Sequence, residues 1–213
     1  MKIVATRLYQ LPVLLSLLSL AYLAQCSEES ASAPVAGQSA PDFTLVDVHG
    51  QSHTLSQYKG KHVVLEWINF DCPYVRKHYQ SGNMQKLQRE YTDRGIIWLA
   101  INSSAPGKQG HFSTQEIEKR SQAHEASFTA YLLDEKGQVG RLYSARTTPH
   151  MYVIDPEGKL VYSGAIDDRP TSNLKDVEGA TNYVQEALEA SIKGKKVKNG
   201  RTRPYGCSVK YGE

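Results

Sequence analysis

Neither sign of charge dominates this chain: 25 Lys and Arg against 22 Asp and Glu leave a net charge of +3 over 213 residues. No basic stretch is interleaved with aromatic residues to make a stacking platform, which excludes nucleic acid as a partner. Charged residues make up 22% and hydrophobic residues 40% of the chain, so there is no charge excess to favour disorder and enough apolar material for one substantial core. No internal repeat is present. Long apolar runs are also missing: the one from Leu11 to Ala24 is too short to span a hydrocarbon core comfortably. Cysteine is scarce, at positions 26, 72 and 207.

What is there begins at the N-terminus. Lys2 and Arg7 precede the apolar run and the polar stretch "SEESASAP" follows it, the order of an export signal over residues 1–26. The mature domain is therefore expected outside the cytosol, in the periplasm, with contact to a membrane only through this signal or a lipid. "LAQC" resembles the lipobox of bacterial lipoproteins, which would make Cys26 the lipid-bearing residue; Gln25 stands where that pattern has Gly, Ala or Ser. Lipidation, simple secretion and an uncleaved anchor all stay open. If Cys26 is processed or lipidated, Cys72 and Cys207 remain, and in an oxidising compartment two thiols can pair. Their spacing says nothing of their distance in space.

Residues 27–39 read as a flexible linker, 40–193 as the folded domain. Short alternating runs flank His49-Gly50 and predict a hairpin. "HVVLEWINF" (His62 to Phe70) is an apolar, β-branched run expected in the middle of a sheet. Helical spacing follows from Pro73 to about Arg94, with Val75, Tyr79, Met84, Leu87 and Tyr91 inward and a break near Ser81-Gly82-Asn83. "GIIWLAIN" predicts a second buried strand. "STQE" (Ser113 to Glu116) fits a capping box, and "TAYLL" a third strand. After a short helix in "GQVGRLYSA", Thr147 to Ile166 reads as two strands joined by the turn Asp155-Pro156-Glu157-Gly158. A last helix is predicted from about Thr181 to Ile192. The pattern is α/β, a mixed central sheet with helices on both faces and an N-terminal hairpin. Residues 194–213, basic and without periodicity, read as a solvated extension.

Cys72 falls at the junction of the buried strand and the first long helix, where unpaired backbone N–H groups and the helix dipole favour an anion. Pro73 suits the first helical turn. A thiolate favoured in this way is the species that attacks peroxides and disulfides, and Arg76, Lys77 and His78 would add to the effect while Asp71 and Glu66 oppose it. The bland reading is an inert core cysteine; the junction, the proline and a second cysteine weigh against it.

"APDFTLVDVHGQSHTLSQYKGKHVVLEW", "CPYV" and "TTPHMYVID" together resemble the thioredoxin-like redoxins of the AhpC/TSA type. With "SSAPGKQG" and "GAIDDR" they resemble a peroxiredoxin-like, single-domain subgroup. The resemblance implies a thioredoxin-like fold, with Cys72 as nucleophile and Thr148-Pro149 as the dipeptide whose proline is cis and packs beside that cysteine. By residue type alone Pro149 could equally start an edge strand. On the redoxin reading Cys207, the second surviving cysteine, is the candidate resolving cysteine, Asn69, Arg76, Thr148 and Pro149 are candidate substrate contacts, and a peroxide or disulfide substrate, an external thiol reductant and no cofactor or metal are expected. This chain departs from the family's patterns in three places. Val75 replaces the second cysteine of Cys-x-x-Cys. Leu65 and Asn69 stand where typical peroxiredoxins have proline and a hydroxyl residue. Arg76 stands where copper-delivery relatives have their second cysteine. The expected activity is that of an exported thiol oxidoreductase with antioxidant character; the alternatives are a redox-inert module that holds a peptide beside Pro149, and a copper-binding relative.

Overall fold

The computed structural model describes residues 33–213. The expected export signal, Cys26 and the start of the 27–39 linker lie outside the described residues. The elements are β1 (Thr44–Asp47), β2 (Ser52–Thr54), β3 (Val63–Trp67), α1 (Pro73–Gln80), α2 (Asn83–Thr92), β4 (Ile97–Asn102), α3 (Thr114–Ala123) and β5 (Ala130–Leu133), followed by α4 (Gln138–Leu142), β6 (Thr147–Thr148), β7 (His150–Ile154), β8 (Leu160–Gly164), α5 (Tyr183–Ile192) and β9 (Cys207–Ser208). The main sheet runs β2-β1-β5-β4-β3-β7-β8, and β6 pairs separately with β9. β3, β4 and β5 are parallel; β7 lies antiparallel to β3 and β8, and the β1–β2 hairpin is antiparallel to β5.

All five residues of β3 are buried, as a strand covered on both faces requires. Side chains alternate across it. Val64 joins Tyr79, Leu87, Ile117 and Leu188 in the core beneath α1, α2, α3 and α5. Leu65 and Trp67 join Val139 and Tyr143 on the other face, where the short α4 and the chain around Leu55 form a thinner cover. The expected helix from Pro73 is two helices, because Gly82 takes φ 75°, a left-handed conformation that a helix cannot continue through. Val75, Tyr79, Met84, Leu87 and Tyr91 all point inward. Half of the expected capping box forms at Ser113: its side chain accepts the Glu116 N–H, while the Glu116 carboxylate accepts from Arg120 instead of the Ser113 N–H. The last helix starts at Tyr183, two residues later than expected, where the Asn182 side chain accepts the Gln185 N–H.

Two boundaries differ from the sequence reading. Gly37 and Ala40 donate to Leu160 and Gly158, so the end of the presumed linker is fixed beside β8. The larger correction concerns residues 194–213. From Gly200 on they run across the molecule: the Gly200 carbonyl accepts the Ser163 N–H and the Thr202 N–H donates to the Ser163 carbonyl, Val209 N–H donates to the Arg146 carbonyl, the Lys210 carbonyl accepts from Ala105, and the Tyr211 hydroxyl donates to the Ala145 carbonyl at 2.8 Å. Arg141 closes the end by donating to the Gly212 carbonyl at 2.6 Å. Isolated charges on this segment gave no hint of these partners, each of which is remote in sequence.

Candidate active site

Beyond β3 the chain turns through Asn69, whose carbonyl accepts the Cys72 N–H at 3.0 Å, and Cys72 becomes the N-cap of α1 with Pro73 in its first turn. The expected junction is therefore found. The Cys72 side chain is fully buried there. The thiol donates to the Thr148 carbonyl at 2.9 Å, and the Thr148–Pro149 peptide bond is cis. Thr148 thus meets the sulfur through its backbone, and its own hydroxyl is buried without a partner among the described residues.

The cover over Cys72 comes from the tail. Thr148 is the cross-strand partner of Cys207 in the β6–β9 ladder, so the residue that holds one cysteine also holds the other. A Cβ at position 206 would drive into the Thr148 carbonyl oxygen, and Gly206 has φ 141°; only glycine lets the tail lie this close. Both cysteines are free thiols. Burial, then a hydrogen bond to Cys72 and the charge of Cys72, push the Cys207 thiol up to about 12, against a smaller opposite pull from Lys210 and Arg76. Cys207 therefore keeps its proton.

Tyr205 anchors this strand. Its hydroxyl donates to Asp167, accepts from His78 Nε2 at 3.2 Å and lies 3.4 Å from Lys77 Nζ. Lys77 also reaches Asp167 at 3.3 Å and the Arg169 carbonyl at 2.7 Å. The Asn83 amide donates to His78 Nδ1 at 2.9 Å, leaving the proton on Nε2, and burial followed by the Lys77 charge holds His78 down at about 3. This corrects the expectation that Lys77 and His78 would favour a thiolate: Lys77 is committed to Asp167, and His78 is neutral. Arg76 alone of the three stays exposed, and its charge acts on Cys207. Asp71, expected to oppose the thiolate, is paired with Arg120 at 2.8 Å.

Asn69, expected as a substrate contact, is tied into the loop before α1. It is 1% exposed, its Oδ1 accepts the Asp71 N–H at 2.9 Å, and Gly110 packs against its amide, so it shapes the loop that carries Cys72. Glu66 lies fully buried on the core face shared with Cys72, accepting from Tyr79, Gln88 and Trp98, and burial raises it to about 7 against the pull of those three donors. Among the described residues no three His, Cys, Asp or Glu converge as a metal site. Sequence reasoning missed Tyr205, Asp167, Lys77 and His78 as a cluster. The available signal was "GAIDDR" and the aromatic-glycine-cysteine run "YGC" in an otherwise polar tail.

A profile of the AhpC/TSA family matches residues 36–163. Among curated proteins, the thioredoxin-like protein YneN of Bacillus subtilis is 30% identical over 144 residues, 67% of this chain and 79% of its own. The thiol-disulfide oxidoreductase ResA of Geobacillus thermodenitrificans is 29% identical over 129 residues, 61% of this chain and 68% of its own. Among solved structures, a hypothetical protein of Sinorhizobium meliloti superposes with a TM-score of 0.73 at 26% identity, covering 85% of this chain and 97% of its own. A putative thiol:disulfide interchange protein DsbE of Chlorobium tepidum gives 0.54 at 26% identity, over 76% and 98%. The sheet, the helix-capping cysteine, the neighbouring cis-proline and these similarities agree: the chain has a thioredoxin-like fold and belongs to the AhpC/TSA family.

Proposed function

We propose that the protein is an exported thiol oxidoreductase in which Cys72 is the nucleophile and Cys207 the resolving cysteine. The observation that carries this reading is that Thr148 binds the Cys72 thiol through its carbonyl while pairing with Cys207 in β9. Val75 prevents the short disulfide of a Cys-x-x-Cys enzyme, and the tail supplies the second sulfur instead. With a disulfide substrate, the Cys72 thiolate attacks one sulfur, forms a mixed disulfide and releases the other sulfur as a thiolate. Cys207 then gives up its proton, attacks Cys72 and releases the second substrate thiol. With a hydroperoxide, Cys72 takes one oxygen as a sulfenic acid and the alcohol leaves; condensation with the Cys207 thiol gives the disulfide and water. Both routes end in a Cys72–Cys207 disulfide that an external thiol reductant reopens.

The alternative of an inert module holding a peptide beside Pro149 is disfavoured, since β9 occupies the edge of β6 that such a peptide would use. The copper-binding reading likewise has no second cysteine after Cys72 on α1.

Mass spectrometry after substoichiometric hydrogen peroxide, and separately after a small aromatic disulfide, tests the proposal. The parent protein should form an internal disulfide, Cys207→Ser should accumulate a sulfenic acid or mixed disulfide on Cys72, and Cys72→Ser should consume neither oxidant. Equal consumption by Cys72→Ser would refute it.

A further inference from the structure

On the sheet face covered by α4, away from Cys72, lies a cavity of about 50 Å³. Strand register sets its wall. Tyr152 pairs with Ser163 across β7 and β8, and Ser163 pairs with Arg201 where the tail runs beside β8. Paired residues project to the same side of a ladder, and so does His150, two positions from Tyr152. His150, Ser163 and Arg201 therefore share one face, and Arg146 joins them at the cavity.

The polar atoms there lack partners. His150 is 6% exposed; its Nδ1 accepts the Arg146 N–H at 3.3 Å and lies 3.1 Å from the Tyr152 hydroxyl, which leaves the ring proton on Nε2. Among the described residues neither His150 Nε2 nor Ser163 Oγ makes a hydrogen bond, and the side chains of Arg146 and Arg201, both exposed at the rim, have no carboxylate partner. Both atoms face the water-accessible cavity, so an anion there would take the place of water. Burial, then the positive charges of Arg146 and Arg201, hold His150 down at about 3, so the ring stays a neutral donor. Ser144, also at this cavity, takes φ 51°, an uncommon conformation for a residue with a side chain.

We propose that this cavity binds a small oxyanion, phosphate or a carboxylate, held by His150 Nε2–H, the Ser163 hydroxyl and the guanidinium groups of Arg146 and Arg201. Guanidinium forks match the oxygen pairs of such anions, and donors to a charged acceptor bond more strongly than to a neutral one. The cavity admits the anionic group itself and not a nucleotide: on the same measure a single water needs about 10–15 Å³. A bound anion would join Arg201, at the start of the docked tail, to β7 directly after Pro149, without touching either thiol.

The test titrates inorganic phosphate, and in a second arm acetate, into the full chain at ionic strength fixed with sodium chloride. It reads the His150 ring resonances by NMR, assigned with His150→Asn, and the Tm. Saturable movement of the His150 resonances is expected, with a Tm rise of roughly 3 °C at ten times Kd. Arg146→Gln and Arg201→Gln should each weaken binding about tenfold, and Arg203→Gln, a change at an exposed arginine outside the cavity, should leave it unchanged. A response to phosphate alone assigns a tetrahedral anion; a response to both ligands assigns a general oxyanion site. The site is refuted if neither ligand moves His150, if sodium chloride moves it as far, or if Arg201→Gln binds like the parent.

Discussion

Two sulfur atoms share one backbone carbonyl's neighbourhood, and the proton of one of them, Cys207, is firmly held. Cys207 is raised by burial and by Cys72 itself, so alkylation of Cys207 at pH 8 is expected to be slow in the parent. It should speed up several-fold in Cys72→Ala, which removes the hydrogen bond and the charge that raise it. Peptide mapping after timed iodoacetamide treatment reads this directly. Glu66 gives a second prediction. Raised to about 7 in the folded protein, it keeps a proton that the unfolded chain releases above its ordinary value near 4.5. Its contribution to stability is present below that value and lost as pH rises toward 7, at a cost of about 3 kcal/mol. Glu66→Gln should flatten that part of the stability curve in urea titrations. At this scale the sequence was legible for Cys72 and Pro149, whose places follow from a strand-to-helix junction and from family motifs. It was opaque for Lys77 and His78, because a charged side chain near a helix start reads as solvated until a buried Asp167 is found opposite it.

The element that decides the chemistry is the two-residue strand β9. Gly206→Ala is expected to force it off the Thr148 carbonyl, destabilising the protein by roughly 1–3 kcal/mol. It should also slow formation of the Cys72–Cys207 disulfide after a pulse of oxidant. Tyr205→Phe removes the hydroxyl shared by Asp167, His78 and Lys77 and leaves buried polar atoms unpaired, a loss of about 1–3 kcal/mol. Its distinguishing effect should be faster labelling of Cys72 by maleimides, because the cover loosens while the sheet stays. The long elements were readable from sequence for local reasons: the β-branched run of β3, the proline opening α1, the glycine that divides α1 from α2 and the turn between β7 and β8. The tail was not, because a strand of two residues has no period to detect, and its partner Thr148 lies far away in sequence.

For the molecule as a whole, His78 and His150 are both held down at about 3. Below the ordinary histidine value near 6.5 the unfolded chain takes up two protons that the folded protein refuses, so stability falls as pH drops from there toward 3. The Glu66 effect has the opposite sign but involves a single proton. Stability should therefore peak near pH 6.5, and urea midpoints measured from pH 4 to 8 check it; a midpoint independent of pH below 6 would contradict the two buried neutral rings. The expected export signal over residues 1–26 carries its own prediction: mass spectrometry of the mature N-terminus should find processing at or near Cys26, an unmodified amine downstream of Cys26 would eliminate lipidation, and an intact Met1 would leave only the uncleaved anchor. Lastly, the docking of residues 201–212 beneath α4 and over Cys72 has a genetic consequence. A stop codon placed just before Cys207 would spare every strand of the seven-stranded sheet, yet the polypeptide made from it would bear a naked, unresolvable sulfur. A ribosome likewise delivers Cys72 well before the residues that roof it, so every newly made copy passes through that vulnerable interval once.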